Sequence, residues 1–237
     1  MKRRFKMLSI ITINRNHEVG LQKTIYSLSQ QLDQNYRWIF IDGNSSDKSL
    51  EIAKRFARHG DVIISEADTG IYNAMNKGIK FVENGPVIFI NSGDIFYNQN
   101  SVLEIKKYWD ATLDILLFGF QIRGTDRFPK PTWWRFWSLP TSHQATIYNA
   151  KILKNSNYDE RYRYAADFEH FLRIFQDRLK VLRVQQIAII NEPYGCDNNL
   201  RDVLSEYKLA LQSNGCGKWW AFLVFKLKTY YLAVKLR

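Results

Sequence analysis

Through the first half of the chain, short apolar runs alternate with longer stretches in which apolar residues recur every three or four positions. Leu8–Ile13 is rich in β-branched residues and predicts a buried strand. Val19–Gln31 places Val19, Ile25 and Leu28 at helical spacing. Trp38–Ile41 predicts a second strand, ended by Asp42-Gly43, and Asp47 stands where it can cap a helix bearing Leu50, Ile52, Ala53, Phe56 and Ala57. Val62–Ile64 predicts a third strand, Ile71–Val82 a helix carrying Met75, Ile79 and Val82, and Val87–Ile90 a fourth strand. Strand and helix in alternation predict an α/β fold, a mostly parallel central sheet with helices on both faces.

The second half is less regular. Ile115–Ile122 predicts a fifth strand. Residues 123–142 hold Pro129, Pro131 and Pro140 together with Trp133, Trp134 and Trp137 and predict a long loop. Asp167–Phe175 and Leu200–Gln212 predict helices, and Leu179–Val184 and Ile187–Ile190 are strand candidates. No repeat, low-complexity tract or linker interrupts residues 1–217, so a single domain is expected there, followed by a separate tail over 218–237.

Composition narrows the picture. At 237 residues the chain is long enough to bury a core without disulfides or a structural metal. Its 46% hydrophobic and 24% charged residues exclude disorder. Thirty-four Lys and Arg against 23 Asp and Glu leave a net charge of +11, which favours anionic partners: phosphates, nucleic acid or acidic lipid. Cys196 and Cys216 form no disulfide scaffold and no zinc-ligand spacing, and read as thiols of a reducing cytoplasm. The opening MKRRFKMLSIITINRN is basic, then apolar, but Asn14, Arg15 and Asn16 break the run, so it reads as a first strand rather than a signal peptide. No stretch approaches the ~18 apolar residues of a spanning helix.

Ligands of an open parallel sheet bind at the carboxyl ends of its strands, and the polar residues fall there. Strand one runs into Asn14, strand two into Asp42, strand three into Ser65-Glu66 with Asp68 just after, and strand four into Asn91 with Asp94 just after. Each acid alone reads as a turn former; the architecture brings Asp42, Asp68 and Asp94 to one rim. Such a rim suits a hard divalent cation bridging to phosphates or the hydroxyls of a sugar. The first turn, NRNHEVG, is not G-x-G-x-x-G, and no G-x-x-x-x-G-K-[ST] occurs, which disfavours a dehydrogenase and a P-loop enzyme.

The blocks SIITINRN, IDGNSSD, SEADTGIYNAMNKG and INSGDIF, in this order and spacing, resemble the nucleotide-sugar half of the family 2 glycosyltransferases with the GT-A fold. SHQATIY and YAADFEHFLRIF resemble the acceptor half, and the likeness, spanning Met7 to Gly195, is to bacterial enzymes of colanic-acid, capsule and lipopolysaccharide assembly. The resemblance implies a nucleotide-sugar half over about 1–98 and an acceptor half over about 99–217. It implies single-displacement transfer, with inversion, from a UDP- or GDP-sugar to a glycan or lipid-linked glycan. Carried over residue by residue, it puts Thr12 and Asn14 against the base and Asp42 on the base or ribose. It puts Asp68, Asn76 and Lys77 near the ribose and diphosphate. Asn91-Ser92-Gly93-Asp94 takes the place of the family's D-x-D motif and keeps only Asp94 as an acid. Asp94 is then the expected ligand of Mn2+ or Mg2+, and magnesium usually takes only one or two protein carboxylates. Asp167 falls where the family keeps its catalytic base, with a helix cap as its other reading and Glu169 as the second choice. His143 reads either as an acceptor contact or as a structural hydrogen-bonder.

Two other classes stay in view. A sugar-phosphate nucleotidyltransferase should carry a Gly-rich, basic loop after strand one, which NRNHEVG is not. A non-catalytic basic module for membrane or nucleic acid should spread cations and aromatics over one face; here the cations scatter, so no nucleic-acid partner is expected. The aromatics concentrate in Trp133, Trp134, Phe136 and Trp137, read as core or as an acceptor- or membrane-facing lid beside Lys130 and Arg135, and in the tail. As a helix the tail places Trp219, Trp220, Leu223, Val224, Leu227, Tyr230, Tyr231 and Val234 on one face and Lys218, Lys226, Lys228, Lys235 and Arg237 on the other. That pattern predicts an interfacial helix peripheral to the cytoplasmic face of the inner membrane, with a helix docked on the domain as the alternative.

Overall fold

The first four predicted strands form one parallel block. In the computed structural model, which describes residues 7–175, 178–193 and 200–235 (side chains to Tyr231), β1 (Leu8–Asn14) lies between β2 (Tyr36–Asp42) and β4 (Pro86–Phe89), with β3 (Val62–Ser65) outside β2. Register sets Asn14 opposite Asp42 and Asp42 opposite Ser65, so three polar strand ends share one line. Cys196 and the side chains of Val234, Lys235 and Arg237 lie outside the described residues.

Beyond β4 the sheet turns mixed. β8 (Thr146–Asn149) is antiparallel to β4 and to β6 (Ile115–Ile122). β9 (Val181–Ile190) is parallel to β6, and β5 (Ile95–Phe96) closes the edge antiparallel to β9. The strand candidates at 179–184 and 187–190 are one strand, because the register shifts along β6 and absorbs the polar pair Gln185 and Gln186 in an irregularity. Gly119 sits at that shift, where a Cβ would stand 2.7 Å from the Arg127 carbonyl oxygen. The predicted long loop holds the short strand β7 (Thr125–Arg127), paired with β6, and a 3-10 turn over Thr132–Phe136.

Two apolar layers cover the sheet. Leu8, Ile10, Trp38 and Phe40 face α1 (Glu18–Ser29), α2 (Ser49–Phe56) and α4 (Ser101–Tyr108). Ile11, Ile13, Ile39 and Ile41 face α3 (Ile71–Ile79), α5 (Ala150–Asn155), α6 (Ala166–Ile174), α7 (Leu200–Ser213) and α8 (Lys218–Lys235). Asp47 stands one residue before Lys48, the cap position of α2, and ties the starts of α1 and α2 together: Oδ1 accepts from Ser49 N and Oδ2 from Glu18 N, each at 3.0 Å.

The tail helix α8 docks by a narrow stripe. Ala221 and Val224 are buried, and Phe225 and Lys228 are half-buried, at the spacing of one helix face. Val224 thus leaves the free apolar face expected for it, and Lys228 leaves the polar one. Trp219, Trp220, Phe222, Leu223, Leu227, Tyr230 and Tyr231 remain exposed, Trp219 at 86%. No described helix is long and apolar enough to cross a membrane.

Candidate active site

Asp42 closes the end of β2 and is fully buried. Its Oδ1 accepts from Asn14 Nδ2 (3.2 Å) and from the Ser45 hydroxyl, and its Oδ2 accepts from Ser45 N (2.9 Å) and the Ser65 hydroxyl (2.7 Å). Two donors on each oxygen use the whole acceptor capacity of a carboxylate. As placed, Asp42 builds the turn after β2, and the expected contact with a base or ribose has to displace one of these donors. Thr12 is corrected: it is buried and accepts from Trp38 Nε1 at 3.0 Å inside the α1–α2–α4 layer.

Asn76 spends its amide on the protein. Nδ2 donates to Tyr158 O (3.0 Å) and Glu160 Oε1 (2.9 Å), and Oδ1 accepts from Tyr158 N (3.0 Å), so it clamps α3 to the 158–160 segment instead of approaching a diphosphate. Lys77 bonds Ala67 O at 2.7 Å and pairs with Glu66 at 2.9 Å. Asp68 accepts from Gly70 N and lies across Gly43, where a Cβ would stand 2.3 Å from Oδ2. Lys77 and Asp68 therefore shape the loop between β3 and α3. Arg15, 4.0 Å from Asp68 with a largely exposed side chain, brings a cation to this rim that no local sequence pattern marks.

The end of β4 is different. Asn14 Oδ1, Asn91 Oδ1 and the Ser92 hydroxyl are buried with no hydrogen-bond partner. Ser92 N donates to Ile13 O, which holds these orphans at the ends of adjacent strands. Unpaired buried polar atoms cost about 1–3 kcal/mol each, and three of them at one strand edge give this part of the rim spare hydrogen-bonding capacity. Gly93 follows with φ +104, and a Cβ there would collide with the Glu192 carboxylate at 2.0 Å, so both conformation and space require glycine. Glu192, just past β9, also lies 3.7 Å from His17 and 3.8 Å from Lys23. No sequence signal marks it, since nothing local says that β9 ends over this turn. A cleft of about 590 Å³ opens beside Gly93, lined in part by Lys23, Tyr26, Phe96 and Glu192.

Asp94 does not present a free carboxylate. It is buried; Oδ1 accepts from Glu192 N (2.9 Å) and Oδ2 from Gln144 Nε2 (3.0 Å), while Asn191 Nδ2 donates to Gln144 Oε1. Burial pushes its pKa up to about 7. Among the described residues no three His, Cys, Asp or Glu side chains converge on one point. The oxygens left over at this turn, Asn91 Oδ1, the Ser92 hydroxyl and the Glu192 carboxylate, are hard donors. They fit a magnesium- or manganese-type ion that draws most of its ligands from phosphate and water.

Asp167, in the first turn of α6, is the poised carboxylate. Its Oδ1 accepts from Tyr72 Oη (3.0 Å) and Phe168 N (2.8 Å); its Oδ2 takes no hydrogen bond from another described residue. Burial, only partly opposed by the Tyr72 bond, lifts its pKa to about 6. Tyr72 lies in the first turn of α3, directly after the Asp68 loop, so one hydroxyl links Asp167 to the strand-end rim. Glu169 is not an alternative, because Arg173 grips both its oxygens, at 2.9 and 3.1 Å. Of the two readings of His143, the contacts match the structural one: it is buried against Phe89, Tyr148 and Tyr158, with Nε2 2.6 Å from Tyr158 Oη. Desolvation drives its pKa down to about 3, so the ring is neutral.

Residues 9–176 match the model of Glycosyl transferase family 2, and the chain belongs to that family. A PGL/p-HBAD biosynthesis glycosyltransferase of Mycobacterium bovis is 26% identical over 210 residues, covering 83% of this chain and 81% of the relative. The crystal structure of S. aureus TarS in complex with UDP-GlcNAc superposes with a TM-score of 0.66 at 16% identity, covering 93% of this chain and 70% of that one. A mannosyltransferase from Pyrobaculum calidifontis in complex with GDP-Man and Mn2+ superposes with a TM-score of 0.67 at 11% identity, covering 96% and 75%. At such identities the two structures establish the fold, which is of the GT-A type. Membership of the family makes the chain a glycosyltransferase.

Proposed function

We propose that the chain transfers a sugar, with inversion, from a UDP- or GDP-sugar to a hydroxyl of a glycan or lipid-linked glycan in the assembly of a bacterial surface polysaccharide. The observation that carries the reading is Asp167, a carboxylate with one oxygen anchored, one oxygen open and a pKa near 6. In the reaction the acceptor oxygen bonds to the anomeric carbon as its proton passes to Asp167 Oδ2. The bond to the donor diphosphate breaks on the opposite face, and the nucleoside diphosphate leaves. A base with a pKa slightly under neutral is ionised at working pH yet still basic enough to take the proton. Asn14 Oδ1 and Asn91 Oδ1 accept hydrogen bonds from the donor, and Arg15 offers positive charge to its phosphates. Mg2+ or Mn2+, when bound, neutralises charge on the departing diphosphate; Asn91 and Glu192 would help hold it, with Asp94 beneath them.

The test is a panel of UDP-glucose, UDP-GlcNAc and GDP-mannose with Mn2+ or Mg2+, read as thermal stabilisation and slow release of nucleoside diphosphate. One donor should stand out on both readouts. Stabilisation only by a nucleoside triphosphate with a sugar 1-phosphate would favour a nucleotidyltransferase and overturn the assignment.

The same reading places the enzyme on the cytoplasmic face of the inner membrane. Trp220 Nε1 donates to Phe136 O at 3.1 Å, so the 132–136 turn and α8 adjoin, with Trp133, Phe136, Trp219 and Trp220 exposed and Lys218 and Lys226 beside them. Aromatic and cationic side chains in one surface suit an anionic lipid interface. Binding to anionic vesicles should weaken with salt without vanishing, since salt screens the lysines but not the apolar burial. Trp219→Ser with Trp220→Ser and Leu223→Ser should remove the remainder; absence of binding by the intact chain would refute the placement.

A further inference from the structure

The geometry points to Glu206, on α7, as the residue that positions Asp167, and this rests on Asp167 being the base. α6 starts without a side-chain cap of its own, at Ala165. The free backbone N–H groups at a helix start need acceptors, and here the supply comes from a distant element. Glu206 Oε1 accepts from Arg163 N at 2.9 Å, and Oε2 accepts from Tyr164 N at 2.7 Å and Ala165 N at 2.9 Å. Three consecutive amides on one carboxylate fix the path of the chain just before Asp167. On the opposite side, Tyr72 Oη lies 3.1 Å from Tyr164 O and 3.0 Å from Asp167 Oδ1. The segment carrying the base is therefore held between α3 and α7.

The next residue along each helix repeats the tie. Phe168 and Tyr207 stack with ring centroids 4.1 Å apart and planes 11° from parallel. Lys228 of α8 stands over Tyr207 at 4.0 Å and over Phe168 at 6.0 Å. Loss of the Glu206 carboxylate would leave these apolar ties while freeing the amides that set the Asp167 backbone. A misplacement of about 1 Å in a reacting group can cost on the order of a hundredfold.

Glu206 also acts by charge. The groups facing Asp167 are Tyr72 from α3, Tyr148 from β8, Tyr158 and Glu206, and of these Glu206 is the carboxylate, which makes proton loss from Asp167 harder. Glu206→Gln keeps the shape, retains one acceptor oxygen and removes the charge.

The experiment measures nucleoside diphosphate release from whichever of UDP-glucose, UDP-GlcNAc and GDP-mannose stabilises the full chain most, with water as acceptor. In Glu206→Gln, kcat should fall at least tenfold, the donor Kd should stay within twofold, and the midpoint of kcat against pH should move down. In an Asp167→Asn background the same change should cost nothing further, because its effect passes through Asp167. Wild-type kcat and midpoint in Glu206→Gln would overturn the proposal. So would a kcat loss that persists in the Asp167→Asn background with an unmoved midpoint, the mark of a merely structural role. If Asp167→Asn alone keeps full turnover, the base assignment itself falls, a result separate from any Glu206 outcome.

Discussion

Asp42 and Asp167 are the same residue type at opposite corners of the site. Asp42, at the end of β2, has donors on both oxygens and no exposure. Asp167, at the start of α6, has both its donors on one oxygen and keeps the other open. The first arrangement stores a carboxylate as a structural knot; the second leaves one oxygen without a donor from the described residues and the carboxyl more basic. Saturation by hydrogen bonds, more than burial, separates the acid that builds the rim from the acid that can react. Asp94 stands between them, with one donor placed on each oxygen.

The sharpest break of this comparison is to remove basicity from the open carboxylate. Asp167→Asn keeps the size and the anchoring oxygen but cannot take a proton. Turnover should fall by about a hundredfold or more, the scale of a positioned base, with donor affinity within twofold by calorimetry. Surviving turnover would make Asp167 a second structural acid. The wild type gives a milder form of the same test. The working form is deprotonated, so kcat should rise about tenfold per pH unit below the midpoint and level off above it, with that midpoint near pH 6. A flat profile between pH 4.5 and 7.5 would contradict a carboxylate base.

Removing Asp42 tests the other side. Asp42→Ala strands Asn14 Nδ2, Ser45 N and the hydroxyls of Ser45 and Ser65. At about 1–3 kcal/mol for each buried group that finds no new partner, a net loss of about 3 kcal/mol is expected. For a chain of this size that is a fall of roughly 6–12 °C in Tm. Unchanged Tm with abolished nucleotide binding would return Asp42 to the ligand.

The same contrast explains what the sequence made legible. The parallel block was readable because β1 to β4 announce themselves as apolar runs ended by polar residues, and α/β alternation fixes where those ends lie. Asp167 drew attention differently: the YAADFEHFLRIF block resembles the family's acceptor half, while the helix pattern alone offers only a cap. What could not be read was saturation. Nothing local to Asp42 says that Ser45 and Ser65 will close on it, or that Asn76 will reach Tyr158, since these bonds span up to 82 residues. Short elements such as β5, β8 and α5 escaped because a few residues carry no period. Glu192 and Glu206 escaped because each works on a segment far away in sequence, Gly93 and 163–165. Lys228 looked like a surface lysine by helical spacing, and only packing against Trp137, Phe168 and Tyr207 shows otherwise.

Lys228 supplies the smallest of these tests and extends the comparison from acids to a cation. Its amine is surrounded by aromatic faces, and burial pushes its pKa down to about 7 from an ordinary lysine value near 10.4. Between those two values the unfolded chain holds more protons than the folded one, so this group makes stability rise with pH from about 7 upward. Below pH 7 the folded protein keeps a charged amine where it is poorly solvated, and the cation–π contacts return only about 0.5–2 kcal/mol. Lys228→Met fills the same space without charge. It should raise Tm by a few degrees at pH 6, and the gain should shrink by pH 9, where the wild-type amine is already neutral. A lower Tm at both pH values would show that the contact with Tyr207 outweighs desolvation. Lys228 would then belong with Asp42 among the groups whose partners satisfy them, rather than with Asp167.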